Sequence, residues 1–168
     1  MSVDIRSIAQ TPPSTFVENW TFQLGYYAAV ESILKANAQY FINVSVANPE
    51  QDMKQATDFV VVIDGGEIAV RIRRDNCKWR DLTIRSTNNG HKTEIHKIRE
   101  GWARYYLYCW TSGRKEIGEW MLVDLNKVRE LELLENRSEI PNYDGTWFIT
   151  IPYKELADKE CVLASVVR

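Results

Sequence analysis

Between Thr57 and Arg74 the chain reads TDFVVVIDGGEIAVRIRR, with Asp58 at its entrance and three arginines, Arg71, Arg73 and Arg74, at its exit. Side chains alternate faces along a strand, so Ala69, Arg71 and Arg73 point one way and Ile68, Val70 and Ile72 the other. Folding this run at Asp64-Gly65-Gly66 brings Asp58 level with the end of the partner strand, beside Arg71 or Arg73. Glu31 falls on the apolar stripe of a preceding helical segment and reaches the same point if that helix packs on the sheet. Two carboxylates facing two guanidiniums have two readings. One is a cross-strand ion pair, worth ~0.2–1 kcal/mol. The other is a pocket that takes a phosphate group, for which guanidinium geometry is suited.

The elements that must position these groups can be read from periodicity. Pro12-Pro13 and then Ser14 or Thr15 mark a helix start, and Trp20, Leu24, Tyr27, Ala28, Leu34 and Ala38 recur at helical spacing to about Gln39, across Gly25. Tyr40 to Val46 alternates as a strand, broken by Asn48-Pro49. Phe59 to Ile63 is a continuous apolar run, as in a buried strand. Asp64-Gly65-Gly66 supplies the positive φ angles of a hairpin turn, and Ile68 to Arg73 is the partner strand. Further strands are expected at Leu82–Arg85, Trp102–Trp110, Trp120–Leu125 and Thr146–Ile151, with helices at Lys92–Arg99 and Asn126–Leu134. The expected class is α/β of the mixed α+β kind, with a central mixed sheet flanked by helices.

At 168 residues, 45% of them hydrophobic, the chain is expected to form one domain, 1–168, with a core over about 14–125 and a C-terminal extension of strand and helix over 126–168. No apolar run approaches the length of a membrane span. The opening MSVDIRSIAQTPPST has no basic stretch followed by an apolar one, so no secretory signal is expected. Cys77, Cys109 and Cys161 form no C-x-x-C pair, which argues against a zinc site or disulfide framework and for a reducing cytoplasm. The net charge of −2 is uneven. Residues 71–104 hold ten Lys/Arg against four Asp/Glu, a net +6, and the remainder carries −8. Such a block suits a local phosphate-binding face or a solvated basic strand and loop.

The order and spacing of these residues resemble the core of the restriction-endonuclease-like superfamily, with its PD-(D/E)-x-K signature. In that fold an acid opens a strand, a hairpin follows, and the next strand carries an acid and a lysine two residues apart. Asp58 matches the first acid, Arg71-Ile72-Arg73 falls where the tripeptide belongs, and Glu31 matches a helix glutamate that often joins the metal site. The Lys92–Arg99 helix and the RYYLYCW strand fit the elements that follow. The resemblance implies a nucleic-acid-acting protein, a Mg²⁺- or Mn²⁺-dependent DNA endonuclease or a catalytically weakened relative. Asp58 and Glu31 would be metal ligands, with Glu67 a third. Arg73 would stand in for the lysine, Arg71 would add a phosphate contact, and Arg74, Lys78, Arg80 and Arg85 would extend the nucleic-acid surface. The implied partner is duplex DNA, engaged by a homo-oligomer, most simply a dimer. The chain departs from the signature where it matters for chemistry: Arg71 repels a cation, and Arg73 stays protonated and cannot act as a base.

Other chemistries find little support. His91 and His96 are five apart, whereas a helical metal pair needs four, so they read as a basic surface patch. Asp81 and Arg85 share a strand face near the hairpin. The aromatic run Trp102–Trp110 reads as core or subunit interface, or as rings that stack bases. P-loop, G-x-G-x-x-G, G-x-S-x-G and H-E-x-x-H motifs are absent. The alternative from another class is a non-enzymatic binding or assembly module on the same fold.

Overall fold

In the computed structural model, residues 14–37, 41–46, 59–63, 66–74, 79–87, 91–113 and 115–167 are described. The first expected helix is two: α1 (Ser14–Leu24) and α2 (Tyr27–Asn37). Gly25 is where they part. Its N–H donates to the Phe22 carbonyl, and the Tyr26 N–H to that of Gln23, so three-residue turns replace the helical ladder before Val30 resumes it from Tyr26. The expected apolar stripe is kept only in part: Trp20 and Leu34 are buried, Leu24 and Ala28 are exposed, and Tyr26 and Val30 take the inward positions after the break.

A six-stranded sheet follows the order β1-β2-β3-β5-β6-β9. Strands β1 (Phe41–Val46), β2 (Phe59–Ile63) and β3 (Gly66–Arg73) form an antiparallel meander, with Ile63 opposite Gly66 at the hairpin end. Strand β3 then runs parallel to β5 (Tyr105–Thr111), placing Arg71 beside Tyr108 and Arg73 beside Trp110. Strand β6 (Ile117–Asp124) and β9 (Val162–Val166) continue antiparallel. A second sheet joins β4 (Leu82–Thr87), β8 (Trp147–Ile151) and the two-residue β7 (Ile140–Pro141). The remaining helices are short: α3 (Glu94–Arg99), α4 (Leu125–Glu130) and α5 (Tyr153–Asp158). The class is mixed α+β.

Alternation along the central strands builds two cores. Ile68, Val70, Ile72, Leu107 and Cys109 pack with Tyr26, Val30 and Leu34 of the first two helices. On the opposite face Ala69, Tyr106, Tyr108, Trp110, Met121 and Val123 meet Leu82, Ile84, Ile149 and Ile151 of the small sheet, with Ile95, Ile98, Val128 and Leu156 from the short helices. The result is a helical layer, the large sheet, and a mixed layer of small sheet and helices. The segment after residue 125 is woven into this frame: β8 pairs with β4, and β9 extends the large sheet beyond β6. Among the described residues, no helix is long and apolar enough to cross a membrane.

Candidate phosphate-binding cleft

Arg71 and Arg73 project from β3 to the face opposite the first two helices, because they share the parity of Ala69. There they meet the outward face of the small sheet. On β4 the buried residues are Leu82, Ile84 and Ser86, so Asp81, Thr83 and Arg85 turn outward. The same parity turns Phe148 and Thr150 outward on β8, directly opposite Arg85 and Thr83. These side chains line one cleft of about 680 Å³, together with Trp79, Glu94, Ile140, Asn142, Tyr143 and Asp144. Three guanidiniums from two sheets, those of Arg71, Arg73 and Arg85, therefore share one concavity.

Glu94 braces the cleft from below. It opens α3, after Thr93 has tied that turn to β4 by donating from its hydroxyl to the Ser86 carbonyl at 3.0 Å. The Glu94 carboxylate is 2% exposed. Its Oε2 accepts from the Arg85 backbone N–H at 3.0 Å, and its Oε1 accepts from the Tyr106 hydroxyl. A buried carboxylate needs such donors, and here they fix the backbone that carries Arg85. Burial pushes the Tyr106 hydroxyl well above its ordinary pKa; the Glu94 charge adds to the shift and Arg71 opposes it. Burial likewise raises Tyr108, against the pull of Arg73 and Arg71. The Thr83 hydroxyl is close enough to favour the Tyr108 phenolate, yet the Tyr108 oxygen forms no hydrogen bond of acceptable geometry.

Three acids accompany the three arginines, but they are differently engaged. Glu94 is committed as above. Asp144 accepts from the Thr146 N–H at 3.0 Å and its hydroxyl at 2.6 Å within its own turn; these bonds hold its carboxyl below the usual range, and Arg85 adds to the effect. Burial raises Asp81 toward its neutral form. Among the described residues, Arg73 and Arg85 make no ion pair. The lone pairs of Glu94 and Asp144 are engaged, while Arg73 and Arg85 retain donors for a ligand.

Glu31 is placed elsewhere than the sequence reading had it. It sits on α2, in the helical layer behind the large sheet, where its Oε1 pairs with Lys35 at 2.6 Å. The sheet separates it from Arg71 and Arg73, because Tyr26, Val30 and Leu34 of the same helical layer pack on Ile68, Val70 and Ile72. Glu67 is exposed near the start of β3, four residues or about 13 Å along the strand from Arg71. Asp58 and Lys78 lie outside the described residues. Arg74 also falls on the far face, its guanidinium 4.5 Å from the centre of the Phe22 ring. Arg80 is held by Glu119, Nε to Oε2 at 2.6 Å, and lies over the Trp110 ring. Of the expected nucleic-acid residues that are described, Arg85 is the one that joins Arg71 and Arg73.

Of the donor set that the resemblance assigns to Mg²⁺, Glu31 and Glu67 do not converge. They are on different faces of the sheet, and no group of three His, Cys, Asp or Glu among the described residues is arranged to hold a metal. Mg²⁺ needs clustered oxygen donors in near-octahedral array, which Glu31 and Glu67 do not form. Of the readings of the aromatic run, core is the one met: Tyr106, Tyr108 and Trp110 are 0–1% exposed and stack edge to face on one another, which leaves them no ring face for a base or a second copy. The rings that do face solvent at the cleft, Trp79 and Tyr143, lie in polar, turn-rich stretches without apolar periodicity, and Glu94 is hidden in an ordinary helix start. The Asp144-Gly145 pair was the one available signal for Tyr143. No family model, curated protein or solved structure matches the chain.

Proposed function

We propose that this cleft binds the phosphodiester backbone of a nucleic acid, and that the protein is a catalytically weakened relative of the restriction-endonuclease-like nucleases. The observation that carries the reading is the meeting of Arg71 and Arg73 with Arg85 from a different sheet in one cleft. Guanidiniums bind phosphate oxygens bidentately and keep their charge at any working pH. Their backbone supports are rigid: β3 lies between two hydrogen-bonded neighbours, and Arg85 is held through its N–H by buried Glu94. The scattered positions of Glu31 and Glu67 favour binding over metal-dependent hydrolysis. A reducing cytoplasm is the setting we assign with it, since Cys109 and Cys161 are buried free thiols.

Titration with labelled oligonucleotides at several salt concentrations tests the binding. The expected result is a linear fall of log affinity with log salt concentration, because phosphate neutralisation releases counterions. No binding at low salt removes the reading. Incubation of plasmid with Mg²⁺ or Mn²⁺ tests the second half: no nicking is expected, and nicking that Asp58→Ala abolishes would restore an active endonuclease.

A further inference from the structure

Large aromatic side chains rarely stand fully in water without a reason, since exposing a ring forgoes the burial that makes aromatics valuable to a fold. Two largely exposed rings line this same cleft. Trp79 is 75% exposed and Tyr143 fully exposed. Both line the cleft that Arg73 and Arg85 also line, together with Phe148 and Ile140.

Tyr143 is displayed on a rigid mount. The turn between β7 and β8 is closed by the Asn142 N–H on the Thr146 carbonyl at 2.8 Å and by the Asn142 side-chain amide on the Thr146 hydroxyl at 3.0 Å. Asp144 accepts from both the N–H and the hydroxyl of Thr146. Gly145, at φ +81°, takes the left-handed step that closes the loop. A turn bonded this fully fixes the Tyr143 backbone, so its ring is held out at small entropic cost to binding.

Rings and guanidiniums in one cleft discriminate between nucleic-acid forms. In a duplex the base faces are covered by their neighbours, and exposed rings beside the phosphates have nothing to stack on. In an unpaired strand each base offers a π-face, and proteins that bind such strands combine a cationic groove with aromatic platforms. We infer that the cleft takes unpaired nucleotides, with Arg73 and Arg85 on the phosphates and Trp79 and Tyr143 stacked on bases. This rests on the phosphate-binding reading above and replaces duplex DNA with a single strand as its ligand. The cleft volume lies within the range of about 300–1,000 Å³ typical of small-ligand pockets, which suits a nucleotide or two entering and not a double helix.

The test compares a twelve-nucleotide oligo(dT), an oligo(rU) of the same length and the oligo(dT)·oligo(dA) duplex, each labelled, at one salt concentration. Either unpaired strand should bind at least about tenfold tighter than the duplex, and the better of the two identifies the sugar. Tyr143→Leu and Trp79→Leu should each weaken single-strand binding by about fivefold or more, since each stack is worth ~1–3 kcal/mol. Both should leave duplex binding and the salt slope unchanged, and Tyr143→Phe should restore the affinity. Exposed positions of this kind leave the fold intact, as circular dichroism would verify. Equal binding of strand and duplex, or Leu variants indistinguishable from the parent protein, overturns the inference while leaving phosphate binding in place. Failure to bind any of the three at low salt overturns the phosphate reading itself.

Discussion

Tyr106 and Tyr108 are neighbours on one strand face, both fully buried, and differ in one respect: the Tyr106 hydroxyl donates to Glu94, and the Tyr108 hydroxyl has no well-formed partner. Their replacement by phenylalanine should therefore diverge. Tyr106→Phe strips a buried acceptor of its donor and should cost about 1–3 kcal/mol, whereas Tyr108→Phe removes a polar atom that satisfies nothing and should be near neutral or stabilising. Both phenols have pKa values raised in the folded state, chiefly by burial. The folded protein thus holds their protons more tightly than the unfolded chain. Stability from this source is complete below the ordinary tyrosine pKa of about 10 and falls as pH rises through and beyond it. Thermal melting between pH 8 and 11 should show a steep alkaline loss, shallower in each Phe variant. A flat profile in the parent protein would show that neither phenol is protected.

At the scale of elements, most of the large sheet was legible because its strands carry strong local signals. The apolar run Phe59–Ile63 is β2 to the residue, and the alternation of Ile68–Arg73 put its arginines on one face, as β3 does. What local pattern could not supply was the partner of each face. Glu31 sits on a helical stripe in the sequence, but whether that stripe covers the arginine face or the isoleucine face depends on topology, and the structure places its helical layer on the isoleucine face. Residues β7, α5 and β9 were unread for a similar reason: Ile140–Pro141 is too short for any period, and Pro152 reads as a terminator though it caps a helix. The cleft itself depends on β4 docking against the large sheet through Leu82 and Ile84, both 0% exposed. Ile84→Val should cost about 0.5–1.5 kcal/mol and Ile84→Ala about 2–5 kcal/mol, read from denaturant midpoints. Since Thr83 and Arg85 flank Ile84 and face the cleft, the Ala variant should also lose oligonucleotide affinity while the Val variant keeps it. An Ala variant with parental affinity would mean that the small sheet does not position the ligand.

Over the whole molecule, the +6 of residues 71–104 looks like an extended basic surface, but the fold disperses it. Arg74 lies against Phe22 on the far face, Arg80 is paired with Glu119, Lys92 with Glu100 and Arg99 with Glu135, and Arg104 lies over the Tyr105 ring. Such pairs are themselves worth little when exposed, yet each sets a cation's direction and screens its field. Among the described residues of this segment, Arg71, Arg73 and Arg85 are the cations that converge. Counterion release then predicts a small salt slope for single-strand binding: two phosphate contacts, at Arg73 and Arg85, at about 0.7 each give roughly −1.4. Arg73→Ala and Arg85→Ala should each weaken binding and reduce the slope by about 0.7. Arg80→Ala should leave the slope unchanged, because its guanidinium is held at Glu119 and Trp110 away from the cleft. A slope near −7, as if all ten cations of the segment engaged phosphate, would show that the ligand runs across the whole basic block and not through the cleft.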